Sequence, residues 1–175
     1  TTHLLGEMFR LLAENRGEWE ALRSEPERSS EVVEEALRLA APTQGMFRIA
    51  TEDVEVGSEF IAAGSRMVLL YAAANRDPNV WEDPDAFQPG RENSAAHLSF
   101  GRGPHFCVGA GLARLEARIV AEEMGRRLES IEVTNSEQLR YHPSFVLRGL
   151  QRLDVTVSAK EVSDHGGDGH GNEPI

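Results

Sequence analysis

Cysteine is almost absent. Cys107 is the only one in 175 residues, so no intrachain disulfide can form, and the expected setting is a reducing cytoplasm. Aromatic residues make up only 6% and the formal net charge is −11, a balance that argues against a nucleic-acid partner. Long apolar runs are missing as well: none approaches the roughly 18 to 20 residues of a membrane span. The first residues carry no signal-peptide pattern, and no internal repeat is present. The acidic residues are spread along the chain, which reads as a solvated surface. What remains is a chain of a length that suits one domain with a real core.

Against these absences stands one dense stretch, His97-Leu-Ser-Phe100-Gly-Arg102-Gly-Pro-His105-Phe-Cys107-Val-Gly109-Ala-Gly111. Its four glycines (Gly101, Gly103, Gly109, Gly111) are expected to take positive φ and let backbone approach a flat ligand. From Leu112 a helical pattern begins, with Leu112, Leu115, Ile119, Met124 and Leu128 as its apolar positions. Cys107 therefore lies just ahead of a helix N-terminus, where free N–H groups and the dipole favour thiolate over thiol. Such a thiolate is a good axial ligand for haem iron. An isolated cysteine is more often a buried structural residue. A zinc site built on His97, His105 and Cys107 lacks a second cysteine pair and has the wrong spacing.

The pattern Phe100-x-x-Gly103-x-x-x-Cys107-x-Gly109 matches the haem-ligand signature of the cytochrome P450 family. Gly111-Leu-Ala-Arg-Leu-Glu116 resembles the helix that follows it in bacterial members. The resemblance implies a mainly α fold with small β-sheets (α+β), the C-terminal portion of the family's fold. It covers Thr1 to about Val157, and residues 1–158 are expected to form that portion.

Taken in order, Thr1 to Asn15 reads as a helix with the stripe Leu4, Leu5, Met8, Leu11 and Leu12, interrupted by Gly17. A short helix follows over Glu18 to Arg23. Ser29 or Ser30 is expected to cap a third helix, with Glu31 in its first turn and Pro42 as its stop. Strands are expected at Phe47–Thr51, Val54–Val56, Glu59–Ile61 and Met67–Leu70, with a hairpin turn at Gly57-Ser58 and one helical turn at Tyr71–Asn75. Arg76 to Asn93 reads as ordered irregular coil and is close to the family's meander. Further strands are expected at Ile131–Val133, Phe145–Leu147 and Leu153–Val157. Residues 159–175 read as a disordered acidic Gly/His tail.

Glu35 and Arg38 lie three apart on the third helix; taken alone they make a surface ion pair worth at most about 1 kcal/mol. With the loop downstream they resemble the family's Glu-x-x-Arg motif, and Arg91 resembles the third member of that buried network. The resemblance implies more of the site. Cys107 is the thiolate ligand of haem b (iron protoporphyrin IX), Arg48 and His105 bind propionates with help from Arg102, and Phe100 shields the sulfur. Amides around Val108 and Gly109 bond the sulfur. Thr43, Met46 and Val146 are substrate-contact candidates, and Arg114 resembles a position that docks a ferredoxin-type donor. Read without the family, Arg48 is a strand-edge residue and Arg114 a solvated helix arginine.

The implied chemistry is insertion of one oxygen atom from O₂ into a small organic substrate, with the thiolate favouring O–O cleavage and electrons arriving ultimately from NAD(P)H. A family member is more than twice this long. Counting back from Glu35 places the threonine of its acid–alcohol pair just before Thr1. The chain alone is therefore expected to be inactive, with the Leu4–Leu12 stripe short of packing partners and the missing N-terminal half supplied elsewhere, as a separate chain if at all. The other reading is a catalytically silent haem-binding or interaction module that pairs with another polypeptide.

Overall fold

The computed structural model describes residues 1–160. Helix α1 (Thr2–Glu14) buries Leu4, Met8, Leu11 and Leu12. Leu5, the fifth residue of that stripe, is half-buried beside the same core, and α1 packs on helix α3 (Ser29–Ala40) and on strand β5 (Leu128–Val133). The break after α1 falls at Asn15, whose side chain and backbone amide both donate to the carbonyl of Leu11. Gly17 lies inside helix α2 (Arg16–Ser24) and does not end anything. A 3₁₀ turn over Pro26–Arg28 leads into α3, so no serine side chain caps it; Ser29 instead donates to Glu122. Ala41 takes left-handed φ at the end of α3, immediately before Pro42.

Three two-stranded antiparallel sheets follow the expected order: β1 (Met46–Ile49) with β4 (Arg66–Leu69), β2 (Val54–Val56) with β3 (Glu59–Ile61), and β5 with β6 (Val155–Ala159). Phe145–Leu147 forms no strand; Leu147 makes only an isolated bridge to Thr43. Ala159, assigned to the tail by sequence, pairs with Leu128, and Lys160 donates to the carbonyl of Arg127. The tail from 161 onward lies outside the described residues. Among the described residues, no helix is long and apolar enough to cross a membrane.

Helix α5 (Ala110–Arg127) departs most from its sequence pattern. Leu112, Leu115 and Ile119 are exposed, and the buried face is made of Ala110, Ala117, Ala121, Met124 and Gly125. Small residues win because α5 lies close against α2 and α3. A Cβ on Gly125 would stand 2.8 Å from the carbonyl oxygen of Leu22. Between the sheets and α5 runs the irregular coil, pinned by buried Trp81 and Phe87 and by helix α4 (Tyr71–Ala74), whose Ala74 carbonyl accepts from the Trp81 indole. The architecture is the mainly α, small-sheet α+β arrangement expected from sequence.

The tight α2–α5 contact gives a direct test. Gly125→Ala should lose about 1–3 kcal/mol to overpacking, more than the ~1 kcal/mol that alanine returns in helix propensity. Gly6→Ala, inside α1 with nothing within 4 Å of its Cβ position, should instead stabilise by roughly 0.5–1 kcal/mol. Urea midpoints of the two variants should move in opposite directions.

Candidate functional site

Cys107 sits in the loop before α5, exposed, with Gly109 as the residue that precedes the helix. Its amide donates to the carbonyl of Phe100 at 3.0 Å, and its carbonyl accepts from Ala110 at 3.1 Å. Only two of the four glycines take left-handed backbone, Gly101 at φ +69° and Gly103 at φ +75°. Gly109 and Gly111 do not, because they already enter α5. At Gly109 a Cβ would lie 3.9 Å from the Cys107 sulfur, so this position brings backbone against the thiol.

The loop borders a cavity of about 1100 Å³. Cys107, Phe100, Gly101, His105 and Gly109 line it from the loop, Leu112 and Ala113 from α5, and Thr43, Met46, Phe47, Arg48 and Ile49 from β1 and the turn before it. The site residues expected from sequence are thus largely brought together. Arg102 lies instead in an adjoining pocket of about 370 Å³ that it shares with Arg48 and His105. Val146 does not line the main cavity; its carbonyl accepts from the amide of Gln44. The walls are mostly apolar, and their polar groups are one cysteine, one arginine and one histidine together with Thr1, Thr43, Tyr71 and Ser99. That donor set can hold a flat apolar ring that carries acidic groups and a metal that accepts sulfur. His97, weighed above as a zinc partner of Cys107, is buried and bonded elsewhere. Among the described residues no three His, Cys, Asp or Glu come together as a metal site.

Behind the loop lies a buried ionic network. Glu35 and Arg38 are both 0% exposed and meet in a two-pronged pair, Nε to Oε2 and Nη2 to Oε1, each 2.8 Å. Arg91 donates Nε to Glu35 Oε1 at 2.9 Å, and the Gln88 amide adds a bond of 3.0 Å. Burial pushes the Glu35 carboxyl up, yet the bonds from Arg38, Gln88 and Arg91 outweigh it and hold it below the ordinary carboxylate range. Remaining guanidinium donors satisfy carbonyls of the coil: Arg38 reaches Asn75, Pro84 and Ala86, and Arg91 reaches Glu82, Asp83 and Ala86. The surface-pair reading of Glu35 and Arg38 is thereby replaced by full burial.

Three residues of this site were not singled out from sequence. Asn75 bonds the Arg38 carbonyl, the Ser99 hydroxyl and the Leu98 amide, which joins the network to the cysteine loop. Ser99 in turn donates to the carbonyl of Leu37 at 2.6 Å. Glu34 receives Arg114 in two bonds of 2.6 and 2.9 Å and His97 Nε2 at 3.1 Å. Arg114 is thus paired, with 33% of its side chain still exposed. Burial raises the Glu34 carboxyl, but the His97 and Arg114 bonds bring it down from 4.5 to about 2. The available signals were Asn75 opening Asn-Arg-Asp-Pro and Glu34 standing beside Glu35.

Known proteins with this arrangement are numerous. A family model described as Cytochrome P450 matches residues 20–152. The biotin biosynthesis cytochrome P450 of Bacillus subtilis is 38% identical over 156 residues, covering 89% of this chain and 39% of that protein. The erythromycin C-12 hydroxylase of Saccharopolyspora erythraea is 39% identical, covering 91% of this chain and 40% of its own. Among solved structures, cytochrome P450 CYP109Q5 from Chondromyces apiculatus superposes with a TM-score of 0.83 at 37% identity, covering 90% of this chain and 40% of that one. The chain therefore spans about two fifths of the length of these relatives.

Two measurements separate the buried network from surface charge. Arg38→Leu strands Glu35 and should cost about 3–5 kcal/mol in urea unfolding, whereas Arg126→Leu, whose pairs with Glu122 and Glu123 are exposed, should stay within ~1 kcal/mol. The folded Glu34 carboxyl titrates at about 2, below its ordinary 4.5, so its contribution is complete above 4.5 and drains away as pH falls from there towards 2. Acid titration of stability should accordingly be shallower in Glu34→Gln than in the native chain across that window.

Proposed function

The chain belongs to the cytochrome P450 family, and on that footing we propose that residues 1–158 form the C-terminal, haem-thiolate portion of a monooxygenase domain. The observation that carries this reading is that the only cysteine opens, ahead of the α5 N-terminus, into a cavity that also holds Arg48 and His105. The residues present fit haem b. Cys107 would supply the axial sulfur from its exposed place just ahead of the α5 N-terminus. Met46, Phe47, Phe100 and Leu112 supply apolar walls, and Gly109 leaves room beside the sulfur. Arg48 and His105 are the cations for the two propionates, with Arg102 assisting from the adjoining pocket. When bound, the haem supplies oxygen activation, helped by electron donation from the thiolate.

The other residues hold this arrangement. Phe100, whose carbonyl accepts the Cys107 amide, would shield the ligated sulfur, and amides around Val108 and Gly109 would tune it. Glu35, Arg38 and Arg91 fix the coil behind the loop. Thr43 and Met46 stand on the cavity wall where a small organic substrate would lie, with Val146 one contact further out. Electrons drawn from NAD(P)H would arrive through a ferredoxin-type donor on the face where Phe106 and Val108 are exposed and Arg114 keeps part of its side chain open. A reducing cytoplasm keeps Cys107 free for the iron. We read the oxygenation itself as an activity of the family's full domain, of which these residues form one portion.

The reduced, CO-bound spectrum of the haem-loaded 175-residue chain tests this. A strongly red-shifted Soret band that disappears in Cys107→Ala is the expected result, with weaker haem retention in Arg48→Ala. An unshifted band in the native chain would sink the assignment of Cys107.

A further inference from the structure

The Glu34 cluster has no part in holding the coil, which Glu35, Arg38 and Arg91 accomplish. It lies on another side of α3 and is built around Phe100. Arg114 lays its guanidinium over the Phe100 ring, Cζ 4.7 Å from the centroid. Glu34 grips the same guanidinium with both oxygens, at 2.6 and 2.9 Å, which fixes its plane as well as its position. His97 flanks the ring from a second direction, with centroids 6.0 Å apart, and its own orientation is set twice. Its Nδ1 accepts from the Ser99 amide at 3.2 Å, which leaves Nε2 to donate to Glu34 at 3.1 Å. One carboxylate and one guanidinium thus form a charge-neutral frame around the aromatic ring.

Phe100 is tied to the cysteine loop at two points, one on Cys107 and one on its neighbour. Its carbonyl accepts the Cys107 amide at 3.0 Å, and its ring meets Phe106, the residue before Cys107, edge-on at 6.3 Å. We infer that Glu34, acting through Arg114 and His97, positions Phe100 and thereby sets the placement and exposure of the Cys107 sulfur. Glu34, His97 and Arg114 are positioning residues in this scheme, none of them touching the sulfur. The inference rests on the reading of Cys107 as a ligand only for its purpose; the mechanical coupling stands on the contacts themselves. It also gives Arg114 a role distinct from donor docking.

Because Cys107 is the sole cysteine, its alkylation rate with iodoacetamide reports the sulfur alone and needs no haem. Arg114→Gln and Phe100→Leu should each raise that rate roughly threefold or more, and the double variant should add little to either, since coupled neighbours are non-additive. Arg114→Lys keeps the charge and the fold but loses the flat stack, and it should raise the rate as well. An unchanged alkylation rate in both Arg114 variants overturns the inference, and so does full additivity with Phe100→Leu. A native chain without the red-shifted band but with coupled alkylation would sink the haem reading alone; the band without the coupling would sink this one alone.

Discussion

A fully buried carboxylate is tolerable only if positive charge and hydrogen bonds replace the water it has lost, and Glu35 is the group on which this fold turns. Two guanidinium groups and one backbone amide converge on it. The arginines do more than neutralise it. The coil after α4 has little regular structure, so its carbonyls have no ladder to join, and a buried carbonyl without a donor is costly. Arg38 and Arg91 direct their remaining N–H groups to five carbonyls of this segment: Asn75, Pro84 and Ala86 on its inner side, and Glu82 and Asp83 on its exposed side. An irregular segment is thereby held as firmly as a strand, with Trp81 and Phe87 filling the space beneath it and Arg38 lying 5.1 Å from the Trp81 ring centre.

From this centre the order passes to the cysteine loop through polar side chains. Asn75 is the junction: its carbonyl holds Arg38, and its side chain holds Leu98 and Ser99. Ser99 returns the contact to α3 at Leu37. The loop is thus fixed by hydrogen bonds at its start and by the entry into α5 at its end, and its exposed stretch around Cys107 lies between two anchored points. Glycine at positions 101 and 103 makes the required left-handed turns.

Much of this was legible in the chain. The order of helices and hairpins and the loop before α5 follow from periodicity and turn residues, whereas the grouping of Arg48, Phe100 and His105 with Cys107 came from the resemblance to the family. What escaped did so for physical reasons. The α5 stripe of Leu112, Leu115 and Ile119 has the right period for a buried face, yet close helix packing selected alanine and glycine on another side. Hydrophobicity alone cannot report how near a neighbouring backbone comes. Phe145–Leu147 is rich in strand formers but makes one bridge only, because pairing depends on a partner strand that local sequence does not supply. Glu34 was passed over because two adjacent acids read as one solvated surface.

That last omission follows from the geometry of α3. Successive residues on a helix point about 100° apart, so Glu34 and Glu35 cannot share an environment, and each was bound to meet a different neighbour. A helix with one wet side would have left one of them in water. But α3 buries Ser29, Val32, Val33, Glu35, Ala36, Leu37, Arg38, Leu39 and Ala40, which is most of its circumference. On such a helix a charged residue is evidence of a partner rather than of solvent. Glu35 found its partners in the coil, and Glu34 in α5 and the loop. One helix therefore serves two interfaces with two carboxylates, and the placement of the cysteine loop depends on both faces being paired at once.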